Sequence, residues 1–230
     1  MKAGSARLLA AALVVLAASP ATRAAEDFSP AERALFMTNQ LAALKPPVTL
    51  SYTYTKSGSL ETGFDDKVTV QLRAQPSGTC CTASAEFLGG PRRLSLPEVE
   101  TGEGNPVILY FLERDIREMS RLTKGQANYF RKRIRLAVFQ GAKIEELTLP
   151  FRGKPVPVRR ITVSPYTDDP LRPRFEKLAN KQYFFTLSDA VPGGVYSIRT
   201  RIDAEAGTAA PLILEEMLID GGAAAAVGKP

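Results

Sequence analysis

The two cysteines of the chain stand side by side as Cys80-Cys81, and they are its only thiols. Thiolates can exchange with disulfides or hold a soft metal. In a regular strand, adjacent side chains point to opposite faces. The expectation is therefore that Cys81 is buried as a small hydrophobe while Cys80 faces the other way, with no bond between them. Cys80 is then the candidate redox residue, either incidental or engaged in an intermolecular disulfide. With no His or Met close by in sequence, the pair gives little support to a metal site, and no metal is expected.

Asp115 is the second candidate. At about 100° per residue it falls between Ile108, Met119 and Leu122, inside an apolar helical stripe, where a carboxylate needs a partner. Downstream lies the basic run Tyr129-Phe130-Arg131-Lys132-Arg133-Ile134-Arg135. If the two segments form a helical hairpin, Arg133 or, second, Arg131 meets Asp115 as a buried ion pair that fixes its register. Arg131, Arg133 and Arg135 could also hold an anion, since guanidinium forks match carboxylate and phosphate geometry. Neutralisation of Glu113, Asp115 and Glu118 is the simpler expectation. Asp168-Asp169, beside Pro170, reads as a turn former and lacks the spaced oxygen ligands of a calcium loop.

The chain contains no His and no Trp. That excludes Ser-His-Asp and Cys-His relays, His-ligated metals and His-based pH switches. No Walker loop or nucleophile elbow is present, so no cofactor is expected and a non-enzymatic role is favoured. Lys2 and Arg7 precede an apolar run over 8–18, too short to cross a bilayer, followed by small residues up to Ala24. This reads as a secretory signal cleaved near Ala24, hence a periplasmic protein that is not membrane-spanning. Removing residues 1–24 takes away Lys2, Arg7 and Arg23 and no acid, lowering the formal charge from +6 to about +3. A balance that small gives no reason to expect nucleic acid.

The elements that must position these residues are legible from periodicity. Ser29, Pro30 and Glu32 make a capping box for a helix over 29–44, ended by Pro46-Pro47. Alternation then marks strands over 48–55, 67–74 and 80–88, an antiparallel meander. Leu50, Tyr52, Tyr54, Val70, Leu72 and Phe87 share its apolar face. Asn105 and Pro106 start a helix to about Leu122, and a second apolar stripe runs from Ala127 to Gly141. The stretch 129–138 also fits a strand with its arginines on one face. Strands return at 144–151, 155–164, 182–187, 195–202 and 212–219, with a short helix somewhere in 170–181. The expected fold is α+β: a large, half-barrel-like antiparallel sheet with an N-terminal helix and a central helical hairpin packed on one face. It spans 25–220 as one domain, and the Gly- and Ala-rich segment 221–230 reads as a disordered tail.

Gly104-Asn105-Pro106-Val107, Phe111-Leu112-Glu113-Arg114-Asp115 and Val191-Pro192-Gly193-Gly194-Val195 are the stretches through which the chain resembles the uncharacterised exported proteins of Gram-negative bacteria. The arrangement of one long sheet around helices is also similar to the half-barrel of periplasmic lipoprotein carriers, a likeness of architecture that carries over no ligand residue. Two functional expectations follow. One is a binding module whose concave face, lined by Leu50, Tyr52, Tyr54, Val70, Leu72 and Phe87, accepts an acyl chain or other apolar ligand. The other is an envelope interaction or assembly protein that presents edge strands or its Arg-rich helix to a protein partner.

Overall fold

A computed structural model of the chain describes residues 28–76, 80–101, 104–204 and 210–224. The expected signal sequence and residues 225–230 lie outside the described residues.

Ser29 opens the first helix as its capping box implies. Its hydroxyl accepts from the Glu32 N–H (3.2 Å), the Glu32 carboxylate accepts from the Ser29 N–H (3.0 Å), and Pro30 begins the turn. The helix is shorter than its periodicity suggests: α1 (Pro30–Glu32) widens into a π turn over Arg33–Met37 and ends there. Thr38 is extended, and its N–H and hydroxyl both donate to the Arg33 carbonyl (2.9 and 2.8 Å). Asn39 takes the Leu41 N–H on its side chain (3.2 Å). Such local side-chain bonds compete with helix continuation. Leu41 is nonetheless buried.

Nine strands follow among the described residues: β1 (Val48–Ser57), β2 (Phe64–Ala74), β3 (Cys80–Phe87), β4 (Val99–Glu100), β5 (Lys143–Phe151), β6 (Lys154–Val163), β7 (Gln182–Leu187), β8 (Val195–Ile202) and β9 (Ile213–Ile219). They form one antiparallel sheet in the order β4-β3-β2-β1-β9-β8-β7-β6-β5, whose two ends do not meet. The fold is α+β and half-barrel-like. Alternation sets the register: Leu50 faces Val70 and Tyr52 faces Val68, so the apolar sets of β1 and β2 share one side. Where a short helix is expected in 170–181, the structure has two 3₁₀ turns, Arg172–Arg174 and Glu176–Asn180, and these bury Phe175 and Leu178.

α2 (Pro106–Thr123) and α3 (Ala127–Gly141) form the expected hairpin, so 129–138 is helix and not strand. Asn105 caps α2 by accepting from the Val107 N–H (3.0 Å), and Lys124 turns the chain with a left-handed backbone (φ 58°). α2 packs against β3 and β8, and α3 against β6, so the hairpin covers the concave face. The sheet holds residues 221–223, the start of the segment whose composition suggests a disordered tail. Gly221 O accepts from Arg152 N–H (2.7 Å), Gly222 bridges to Phe151, and the Ala223 N–H donates to the Tyr196 hydroxyl (2.9 Å).

Candidate functional site

Leu50, Tyr52, Tyr54, Val70, Leu72 and Phe87 do share one face, and all are buried in the hydrophobic core. The Tyr52 hydroxyl donates to the Val195 carbonyl (3.4 Å), and Tyr54 packs against the rings of Phe64 and Phe87. None of these six lines either of two surface cavities beside α2. The face expected as a ligand surface is part of the core, with α2 packed against β3 and β8.

Beneath α2 the core carries charge. Asp115 is fully buried, as its place in the stripe requires, but its partner is neither Arg133 nor Arg131. Lys181, the residue before β7, forms the ion pair, and the Tyr183 hydroxyl donates to the other carboxylate oxygen (2.6 Å). Asp115 turns away from α3 to the start of β7, where Tyr183 and the preceding Lys181 reach it. Next to it Arg114 pairs with Glu215 of β9 (2.8 Å), which also accepts from the Thr200 hydroxyl (3.2 Å) and lies 3.4 Å from Lys56 of β1. Lys56 continues to Glu61 (2.5 Å) and Glu118 (3.3 Å), and Arg121 closes the chain on both acids. Asp115, Glu215, Glu118 and Glu61 are thus balanced by Lys181, Arg114, Lys56 and Arg121. Burial pushes the Glu215 carboxyl up, but Arg114, Lys181 and Lys56 outweigh it and hold it down at about 2. Burial and the nearby Asp115 push the Tyr183 hydroxyl well above its ordinary range. A polar cavity of about 510 Å³ exposes the outer end of this network at Glu61, Arg114, Glu118 and Arg121.

The other singled-out residues separate. Arg133 pairs with the buried Asp169 (2.9 Å) and donates to the Pro165 carbonyl (3.0 Å). Asp169 also accepts from Tyr129 and from the Leu171 N–H (2.7 Å), so it is both a turn former and a buried counter-charge. Arg131 pairs with Glu113 (2.7 Å). Cys80 and Cys81 are bonded to each other, contrary to the expectation of opposite faces. That expectation assumed a regular strand. Here the ladder slips, with Ala74 opposite Cys80 and Arg73 opposite Thr82, so that Cys81 sits in a bulge. Thr101 clamps this bulge, accepting from the Cys81 N–H (2.6 Å) and donating its own N–H to the Cys81 carbonyl (2.7 Å). Cys81 is buried as expected. No cluster of His, Cys, Asp or Glu suited to a metal occurs among the described residues.

The opening suited to an apolar ligand lies between α2, α3, the N-terminal segment and the chain leading into β4. It is a groove of about 690 Å³, within the ~300–1,000 Å³ usual for ligand sites. Phe28, Phe36 and Met37 form one wall, Leu96, Pro97 and Val99 another, and Leu109, Leu112 and Ile116 of α2 with Ile134 of α3 the floor. Leu109 is 44% exposed there. Charged groups edge the groove. Glu113 is shared by Arg117 (3.1 Å) and Arg131, while Glu32 is spent on the Ser29 cap. Arg135 has no acidic partner among the described residues, which makes it the cation open to an anionic group. No protein-family model matches the chain, and no curated protein matches it.

Both the network and the groove left marks in the sequence. Lys56 follows Leu50, Tyr52 and Tyr54 in phase, Glu215 lies between Ile213 and Met217, and Lys181 precedes Tyr183 and Phe185 at the same interval. A charge in phase with an inward face has to find a counter-charge. The run from Val107 to Leu112 is apolar around the whole helix, which says that α2 is covered on more than one side.

Proposed function

We propose that this chain is an exported, non-enzymatic binding module of the periplasm that holds a single-chain anionic amphiphile, such as a fatty acid. The observation that carries the reading is the apolar groove beside α2 with an unpaired guanidinium, Arg135, on its rim. The acyl chain lies along Leu109, Leu112 and Ile116, and the headgroup meets Arg135. The groove therefore replaces the concave sheet face as the ligand site.

Titration with a fluorescent fatty acid, followed by displacement with palmitate, tests this. Leu109→Asp places a charge in the groove and should weaken binding at least about tenfold with little change in melting temperature, since the side chain is already partly exposed. Arg135→Gln should weaken palmitate and leave the uncharged alcohol of the same length unaffected. No binding, or binding indifferent to Leu109→Asp, would overturn the reading. An envelope assembly protein is the second reading, favoured by the filled concave face and by the open edge of β5. Protein recovered from the periplasm without bound lipid, and inert to fatty acids, would favour it.

A further inference from the structure

Apart from Arg135, the outward face of α3 has no part in that reading. The helix sequence Ala127–Gly141 contains Arg131, Lys132, Arg133 and Arg135 and no acid. Phe130, Ile134 and Val138 are its buried side. On the opposite side, at about 100° per residue, Arg135, Phe139, Lys132 and Leu136 fall within an arc of about 100°. Phe139 is 47% exposed and Leu136 40%, both large for apolar side chains on a helix whose other face is packed. Arg133 and Arg131 are spent on Asp169 and Glu113. Lys132 and Arg135 have no acidic partner among the described residues, and neither do Lys124 and Lys143, which stand just outside the two ends of the helix. The helix thus lays a line of unpaired cations beside two exposed apolar side chains.

We propose that this face of α3 docks on the surface of an anionic phospholipid bilayer. Charge complementarity names the occupant. Cations without local acids are attracted to an anionic surface, and Leu136 and Phe139 between them can enter the headgroup boundary as the apolar side of an interfacial helix does. The inner side of α3 stays packed on the protein, so the helix lies flat on the bilayer. No helix among the described residues is long and apolar enough to cross it. Ile134, Arg131 and Arg135 also line the groove, so a protein docked in this way turns the groove mouth toward the lipid.

Co-sedimentation of the full chain with phosphatidylcholine vesicles, with and without phosphatidylglycerol, tests the proposal without any fatty acid. Association is expected only with the phosphatidylglycerol vesicles and should fall severalfold when salt is raised. Lys132→Glu, and separately Leu136→Ser with Phe139→Ser, should each weaken it by roughly fivefold at unchanged melting temperature, because all three side chains are exposed. Leu109→Asp should leave it unaltered, so the docking face and the groove can each fail alone. Absence of association, equal association with pure phosphatidylcholine, or indifference to the α3 variants would overturn the proposal. So would a photoreactive residue at position 139 that crosslinks a protein in cells while vesicles bind nothing, which would assign the face to a protein partner.

Discussion

Glu215 and Asp115 lie in one buried patch, where Arg114 bonds the first, Lys181 bonds the second, and Lys181 also favours the charge on Glu215. Glu215 is ordinarily protonated below about 4.5, and in the folded chain it stays charged down to about 2. A carboxyl depressed in the folded state adds stability that is present above the unfolded value and lost as pH falls through the folded one. Glu118, with burial opposing and Arg121, Lys56 and Arg114 favouring its charge, is held at about 2 in the same sense. Urea midpoints should therefore hold from neutral pH to about 4.5 and fall steeply between 4.5 and 2, with Glu215 accounting for roughly 3 kcal/mol. Glu215→Gln should be destabilised at pH 7 by stranding Arg114 and should fall less steeply in acid; an acid slope equal to wild type would show that the carboxyl is not held down. Asp115 meets its cation just before β7. Asp115→Ala should cost about 3–5 kcal/mol by leaving Lys181 charged in the core, and Asp115→Asn should still cost much of it despite keeping an acceptor for Tyr183. Pairing Asp115→Leu with Lys181→Met should recover most of the loss. A double variant as unstable as the sum of the singles would mean the two residues do not act as a pair.

At the scale of elements, Asn105 joins three pieces of chain. Its carbonyl oxygen caps α2, and its amide donates to Gln40 (2.6 Å) and to the carbonyl of Gly193 (2.7 Å) in the turn between β7 and β8. Gly193 has φ 73°, and a Cβ there would stand 2.5 Å from Leu50. Asn105→Asp keeps the cap and loses both donations, so its thermal unfolding should resemble Asn105→Ala, about 1–2 kcal/mol below wild type, more than it resembles wild type. An Asp variant as stable as wild type would reduce Asn105 to a cap. The cap, the hairpin and the strand phases were all legible, because each depends on residues within a turn or two of each other. The partners were not. Asp115 and Lys181 are 66 residues apart, and the pairing of β1 with β9 that brings Lys56 to Glu215 is a choice of sheet order that no local pattern encodes. The phases of Lys56, Lys181 and Glu215 said that charges turn inward, and only topology says which meets which. The Cys80–Cys81 bulge escaped for the opposite reason: the alternation rule was applied at the one place in β3 where the ladder slips.

The sheet as a whole depends on its last strand. β1 to β4 form one run of neighbours and β5 to β8 another, and β9 lies between β1 and β8 as the only strand that pairs with both. Its inward residues Ile213, Met217 and Ile219 join the core, and its Glu215 meets cations from β1 and α2. Without β9, β1 and β8 become open edges, and Arg114 and Lys56 lose their shared acid under a helix that spans both runs. A chain ending at Asp203 should therefore lose near-ultraviolet ellipticity and amide dispersion throughout. A chain ending at Ala224 keeps Ala223 on Tyr196 and Gly221 on Arg152, and it should unfold at the wild-type temperature. If the shorter chain kept a dispersed spectrum for β1 to β4, the N-terminal run would be a folding unit in its own right, and the single cooperative transition expected of one sheet bridged by β9 would be wrong.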